Sequence, residues 1–215
     1  WTVAPAGQGH FSEPRTWMSE FGRTNETLLL GDMTGDGAVD AVAVDPESGR
    51  WRVVSAEDGS NPGGGAKSAE TWMDGMSPGC DECFVVDVTG DGMADAIAYD
   101  KSGGTWTVAV SNGEDGFSSP RVWRRDFGGD EVMVGDATGD GLADAVAFHR
   151  SSGDWHYAAS DGDGKFGQEK RWKRGHGGRS PRPSKGLPQA SHVLLGHCCG
   201  AAASPVAYYG PQGQW

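Results

Sequence analysis

Long apolar runs are missing from this chain, and none approaches the roughly 18 consecutive apolar residues that a membrane helix needs. No window carries an extended amphipathic pattern of helical period either, so helix is expected to be scarce. Cysteine is sparse. The four residues, in the pairs Cys80/Cys83 and Cys198/Cys199, allow at most two disulfides in three connectivities. Basic residues are outnumbered, 18 against 30 acidic, and the formal charge of -12 argues against nucleic acid or an anionic membrane as a partner. Catalytic signatures are absent as well: the six histidines are scattered, and there is no HExxH, no nucleophile elbow and no phosphate-binding glycine loop, so no enzyme activity is expected. The chain opens on Trp1 without a basic start or apolar leader, which places any targeting segment outside these 215 residues.

Glycine, by contrast, is plentiful at 36 residues beside 11 prolines, a composition that favours short strands joined by tight turns. One stretch occurs three times: GDMTGDGAVDAVAV from Gly31, VDVTGDGMADAIAY from Val86 and GDATGDGLADAVAF from Gly135. Its first aspartates are Asp32, Asp87 and Asp136. The second follows the first by 55 residues and the third follows the second by 49, a period in the range of propeller and solenoid repeats. A short apolar strand precedes each copy (28–30, 84–86, 132–134) and a second follows it (41–44, 96–99, 145–148). Then come an alternating strand that opens on tryptophan (WRVVSA, WTVAVS, WHYAAS), a Gly/Asp-rich turn, and a fourth strand carrying a second tryptophan (ETW, PRVW, KRW). Each unit therefore predicts a four-stranded antiparallel sheet, over 27–73, 84–123 and 132–172.

The two ends match complementary halves of the same unit. Residues 1–17 resemble strands three and four, and residues 192–215 resemble strands one and two. The expected fold is all-β: a single β-propeller domain over 1–215, of four four-stranded antiparallel blades, the last completed by both termini; the alternative is a stretch of a longer repeat array cut at its period, between Trp1 and the equivalent Trp215. Residues 173–191 interrupt the fourth unit with a basic, Pro/Gly-rich insertion. Lys173, Arg174, Arg179, Arg182 and Lys185 there could dock on an acidic neighbour, another copy of this chain included, or stand as a solvated loop.

The acidic stretch follows the pattern D-x-T-G-D-G-x-x-D. Positions one, five and nine offer carboxylates and position seven a backbone carbonyl, a set of hard oxygen donors that suits Ca²⁺ better than Zn²⁺. It is not an EF-hand, because position twelve is alanine within an apolar strand (Ala43, Ala98, Ala147) rather than a bidentate glutamate. A metal-free alternative is an Asp/Gly turn that hydrogen-bonds its own backbone. The fourth loop, GHCCGAAASPV, has lost every candidate carboxylate and places His197, Cys198 and Cys199 at the start of the lost site. Local pairing of Cys80 with Cys83 and of Cys198 with Cys199 is one option, cross-links between the pairs another, and a Cys₄ zinc site a third, for which adjacent cysteines are poorly spaced.

With three tandem copies, the pattern resembles the calcium loops of the FG-GAP, or VCBS, repeats of integrin α-subunit propellers and of propeller lectins. The resemblance covers nearly the whole chain. It implies three Ca²⁺ ions as cofactors, held by Asp32, Thr34, Asp36, the Ala38 carbonyl and Asp40; by Asp87, Thr89, Asp91, the Met93 carbonyl and Asp95; and by Asp136, Thr138, Asp140, the Leu142 carbonyl and Asp144. Threonine at position three stands where the integrin pattern has Asn or Asp, which implies weaker binding. The related lectins hold sugars between adjacent blades, and Trp17, Trp72, Trp123 and Trp172 recur at one position that could line such pockets or simply pack the blades. The leading expectation is an extracellular or cell-surface calcium-binding repeat protein with an adhesive or structural role, partnered by other extracellular proteins or copies of itself. A carbohydrate-binding lectin is the alternative and a polysaccharide-active enzyme the second alternative. The one glycosylation sequon, Asn25–Thr27, would then lie in a surface loop.

Overall fold

The structure, a computed structural model, describes residues 2–3, 6–7, 10–11, 13–16, 18, 21–56, 68–173, 192–196 and 204–208; before residue 13 and after residue 173 it describes backbone pairing alone. Trp17, Cys198, Cys199 and the insertion from Arg174 to Ser191 lie outside the described residues. Among the described residues there are eighteen strands and no helix. The N-terminal segment holds β1 (Thr2–Val3), β2 (Ala6–Gly7), β3 (His10–Phe11) and β4 (Arg15–Thr16). Three antiparallel four-stranded sheets follow in simple up-and-down order. The first is β5 (Thr27–Gly31), β6 (Asp40–Asp45), β7 (Arg50–Val54) and β8 (Glu70–Met73). The second is β9 (Glu82–Val86), β10 (Asp95–Asp100), β11 (Thr105–Ala109) and β12 (Arg121–Arg124). The third is β13 (Glu131–Gly135), β14 (Asp144–His149), β15 (Asp154–Ala158) and β16 (Lys170–Lys173). A two-stranded pair, β17 (His192–Gly196) with β18 (Ser204–Tyr208), comes last. The first strands of successive units run side by side, β5 beside β9, β9 beside β13 and β13 beside β17.

The alternation of small and large residues in DAVAV, DAIAY and DAVAF decides how the sheets stack. Successive side chains on a strand point to opposite faces, so each sheet has an alanine face and a large-residue face. Val42, Val44, Trp51, Val53 and Trp72 of the first sheet pack on Ala94, Ala96, Ala98 and Ala109 of the second. Ile97, Tyr99, Trp106, Val108 and Trp123 of the second pack in the same way on Ala143, Ala145, Ala147 and Ala158 of the third. Trp51, Trp106 and Trp155, the first tryptophan of each unit, are fully buried. The second tryptophan is wedged by a phenylalanine reaching back from the next unit: Phe117 lies 5.3 Å from Trp72, and Phe166 lies 5.3 Å from Trp123. Blade packing therefore accounts for Trp72 and Trp123, while Trp172 is half-buried against Trp155 and Tyr157.

The end segments repeat these registers. Thr2 pairs with Thr16 and Val3 with Arg15, as Arg52 pairs with Thr71 and Val53 with Glu70. Val193 to Gly196 pair with Ala207 to Ser204, as Leu28 to Gly31 pair with Ala43 to Asp40. Among the described residues these remain separate two-stranded sheets, with no pairing that joins β18 to β1.

Candidate functional site

The three acidic loops take one conformation. Glycine at positions four and six has positive φ in each, 75° and 85° at Gly35 and Gly37 and similar values at Gly90, Gly92, Gly139 and Gly141, a region that a side chain would strain. That conformation turns backbone N–H groups inward onto the first aspartate. Asp32 accepts from Gly35 and Gly37, Asp87 from Thr89, Gly90 and Gly92, and Asp136 from Gly139, Asp140 and Gly141. The position-five carboxylate accepts the amide of position seven: Asp36 from Ala38, Asp91 from Met93 and Asp140 from Leu142.

The position-nine aspartates do something different. Asp40, Asp95 and Asp144 are fully buried and each ties two segments of its sheet together. Asp95 accepts from Val88 at 3.1 Å and from Ser111 at 3.0 Å; Asp40 and Asp144 accept from the equivalent pairs Met33 and Ala56, Ala137 and Ser160. Burial pushes the Asp95 carboxyl up to about 7 against the pull of those two amides, and the charges of Asp91 and Asp87 add to the rise. Asp40 and Asp144 are raised for the same leading reason.

The first two loops also latch the next sheet. Ala94 N–H donates to the Asp32 carbonyl and the Ser111 hydroxyl to the Met33 carbonyl; one sheet on, Ala143 donates to Asp87 and Ser160 to Val88. Side chains at position seven reach back in the same direction, Met93 over Gly35 and Leu142 over Gly90. In the fourth unit, Gly196 pairs with Ser204 across seven intervening residues, where Gly31 and Asp40 enclose eight. A serine thus stands at the place of the buried aspartate.

The donor chemistry of these loops fits a hard cation, and the Thr34 hydroxyl is buried with no hydrogen-bond partner among the described residues. Their oxygens are directed to backbone amides, however. Among the described residues, the one group of three metal-ligating side chains with ligand atoms all within 4.8 Å of one another is His149, His156 and Glu169, in the third sheet. The scattered spacing of these residues gave no sign of it. Cys80 and Cys83 do meet, as buried free thiols with sulfurs 2.9 Å apart. The hydrogen bond from Cys83 holds the Cys80 thiol below its ordinary value, and the same contact with burial pushes Cys83 up.

Between the second and third sheets lies a cleft of about 420 Å³. Its apolar wall is Val108, Val110 and the edge of Trp123; its polar rim is Thr89, Ser118, Ser119, Arg121 and Asp163. The turn Gly162–Gly164 closes one side, and Gly162 comes so close that a Cβ there would stand 3.2 Å from the Thr89 carbonyl. No protein-family model matches the chain, and no curated protein matches it. A solved structure does match, that of an Agrocybe aegerita lectin in specific recognition of non-reducing terminal N-acetylglucosamine: TM-score 0.64 at 23% identity, over 80% of this chain and 46% of that one. The fold is shared with a β-propeller-like lectin. This chain spans about half that lectin's length.

Proposed function

We propose that the protein binds carbohydrate in the clefts between adjacent sheets. The observation that carries this reading is the cleft of the second and third sheets, of a size common for small-ligand sites. The half-buried Val110 and the edge that the packed Trp123 leaves at the cleft suit the C–H face of a pyranose ring. Around it Arg121 offers paired donors, Asp163 paired acceptors, and Ser118, Ser119 and Thr89 both roles, as a ring of sugar hydroxyls requires. The fold shared with a lectin supports the reading, and a terminal N-acetylglucosamine is the first ligand to try. At the equivalent place between the first and second sheets Glu70 replaces Arg121, so the clefts are expected to differ in ligand. On a glycan array the protein should give saturable, sugar-competed binding, and Arg121→Ala or Asp163→Ala should weaken it by at least about tenfold. A silent array, or variants that bind like the parent, would overturn the proposal. Extracellular or cell-surface placement belongs to the same reading, and Asn25, exposed in a turn, is open to a glycan of its own. An adhesive role would then act through glycans rather than stand apart from them.

Calcium at the acidic loops is a second reading, favoured by the buried Asp95 with Asp91 and Asp87 beside it and by the unpartnered Thr34 hydroxyl. The carboxylates, the Thr34 hydroxyl and the position-seven carbonyl would hold the ion, which would supply charge neutralisation and stiffening rather than chemistry. A chelator should lower the melting temperature and excess Ca²⁺ should restore it, with a stabilisation of about 2.7 kcal/mol at one hundred times Kd. Identical melting curves with and without chelator would exclude it. The proposal also includes a four-bladed ring, in which β17–β18 and β1–β4 form one sheet, and it rests on their matching registers.

A further inference from the structure

We propose that His149, His156 and Glu169 form a binding site for a divalent transition-metal ion of the zinc class, separate from the acidic loops and from the cleft. Strands β14 and β15 and the residue just before β16 build it. His156 lies opposite Ala147 on β14 and opposite Arg171 on β16. His149 is two residues beyond Ala147 and Glu169 two residues before Arg171, so all three share one face of the sheet as diagonal neighbours, within reach of long side chains. The structure realises that reach. The ligand atoms all lie within 4.8 Å of one another, the imidazole rings are 5.0 Å apart and nearly perpendicular, and His156 Nδ1 is hydrogen-bonded to a Glu169 carboxylate oxygen.

Two imidazoles are borderline donors, and with one carboxylate, a hard donor that Zn²⁺ also accepts, they form a set preferred by Zn²⁺, Co²⁺ or Ni²⁺ over Ca²⁺. With metal–ligand bonds of about 2.0–2.1 Å, a tetrahedral ion needs its ligand atoms about 3.4 Å apart, so the set closes with side-chain adjustments of about 1 Å. Both histidines are half-buried and Glu169 is exposed, which leaves the fourth position open to water or a ligand atom. Nothing in sheet building asks for this trio. The equivalent residues are Asp45, Arg52 and Ala69 in the first sheet and Asp100, Thr107 and Pro120 in the second. Only the third sheet carries metal-ligating side chains at all three positions, far apart in sequence, and the three meet in space.

The test uses the full chain, stripped of metal and titrated with Zn²⁺ by calorimetry and with Co²⁺ by visible absorption. Because four other histidines and four cysteines are present, the readout is the difference between the parent and the variants His149→Gln and Glu169→Gln. The expected result is one equivalent of Zn²⁺ lost, or weakened by at least about tenfold, together with loss of the tetrahedral Co²⁺ bands. Equimolar Ca²⁺ should leave the titration unchanged. Superimposable titrations of parent and variants would overturn the proposal, as would displacement by Ca²⁺, which would assign the ion to the acidic loops. Should His149→Gln fail to fold, the near-isosteric exchange at the exposed Glu169 decides, with imidazole proton shifts of His149 and His156 on adding Zn²⁺ to the parent as the second measurement.

Discussion

Single hydroxyls and backbone amides hold one sheet to the next at the loop end of the molecule. Ser111 is nearly buried; its hydroxyl donates to the Met33 carbonyl of the preceding sheet at 2.8 Å and accepts from the Gly113 amide at 3.1 Å. Ser160 repeats both bonds, to Val88 and from Gly162. Alanine stands at this position in the first unit, Ala56, whose amide still bonds Asp40. The serine is thus an addition for contact between sheets and not a requirement of the loop. Ser111→Ala leaves a buried carbonyl and an amide without their partner, so it should cost about 1–3 kcal/mol in denaturant unfolding. Ser48→Ala, in an exposed turn where the hydroxyl bonds only Asp45, should cost less than about 0.5 kcal/mol. Equal costs for the two would mean that the latch carries no stability.

The alanine faces of β6, β10 and β14 set the spacing of the sheets, and their alternation with large residues was legible in the sequence because side chains on a strand alternate with period two. The strands flanking each acidic loop were legible for the same reason. Ala98 is buried against the large-residue face of the first sheet, so Ala98→Leu should overpack the junction and cost about 1–3 kcal/mol in thermal or denaturant unfolding. Val122→Ala, on an exposed position of β12, should stay within about 0.5 kcal/mol. If Ala98→Leu is equally silent, the sheets are looser than their packing shows. Other features needed more than periodicity. The wedge of Phe117 and Phe166 is written as a phenylalanine six residues before the second tryptophan, a spacing that recurs at Phe11 and Trp17 but is hard to read without knowing which tryptophan it meets. The cluster of His149, His156 and Glu169 was not legible at all, because only cross-strand register brings its members together. The acidic loops were legible as loops, while the division of labour among their aspartates depends on which amides the chain turns inward.

At the scale of the whole molecule, the β5 edge of the first sheet asks for a cover, while Ala41 and Ala43 farther in on the same face are already buried under Phe21 and Met18. Leu28 and Leu30 on β5 are 45% and 58% exposed, although their equivalents on β9, Cys83 and Val85, pack against the preceding sheet, where Cys83 is only 6% exposed. Val132 and Val134 on β13 pack against the second sheet in the same way. By the logic of the repeat, the large-residue face of a fourth sheet would occupy the Leu28–Leu30 face. The candidate is β17–β18, which lies beside β13, and it would have to join β1–β4 through β18, a pairing absent among the described residues. The register of the complete sheets would set Val206 opposite Val3, as Val42 lies opposite Val53. Closure within one chain removes both open strand edges, whereas separate halves invite pairing between chains. Leu30→Ser decides between them. If the fourth sheet covers Leu30 in solution, the substitution loses a buried leucine and should cost about 1.5–3 kcal/mol, with the parent a monomer on dilution and a radius of gyration near about 17 Å. An open arrangement predicts a change of less than about 0.5 kcal/mol and a mass that grows with concentration.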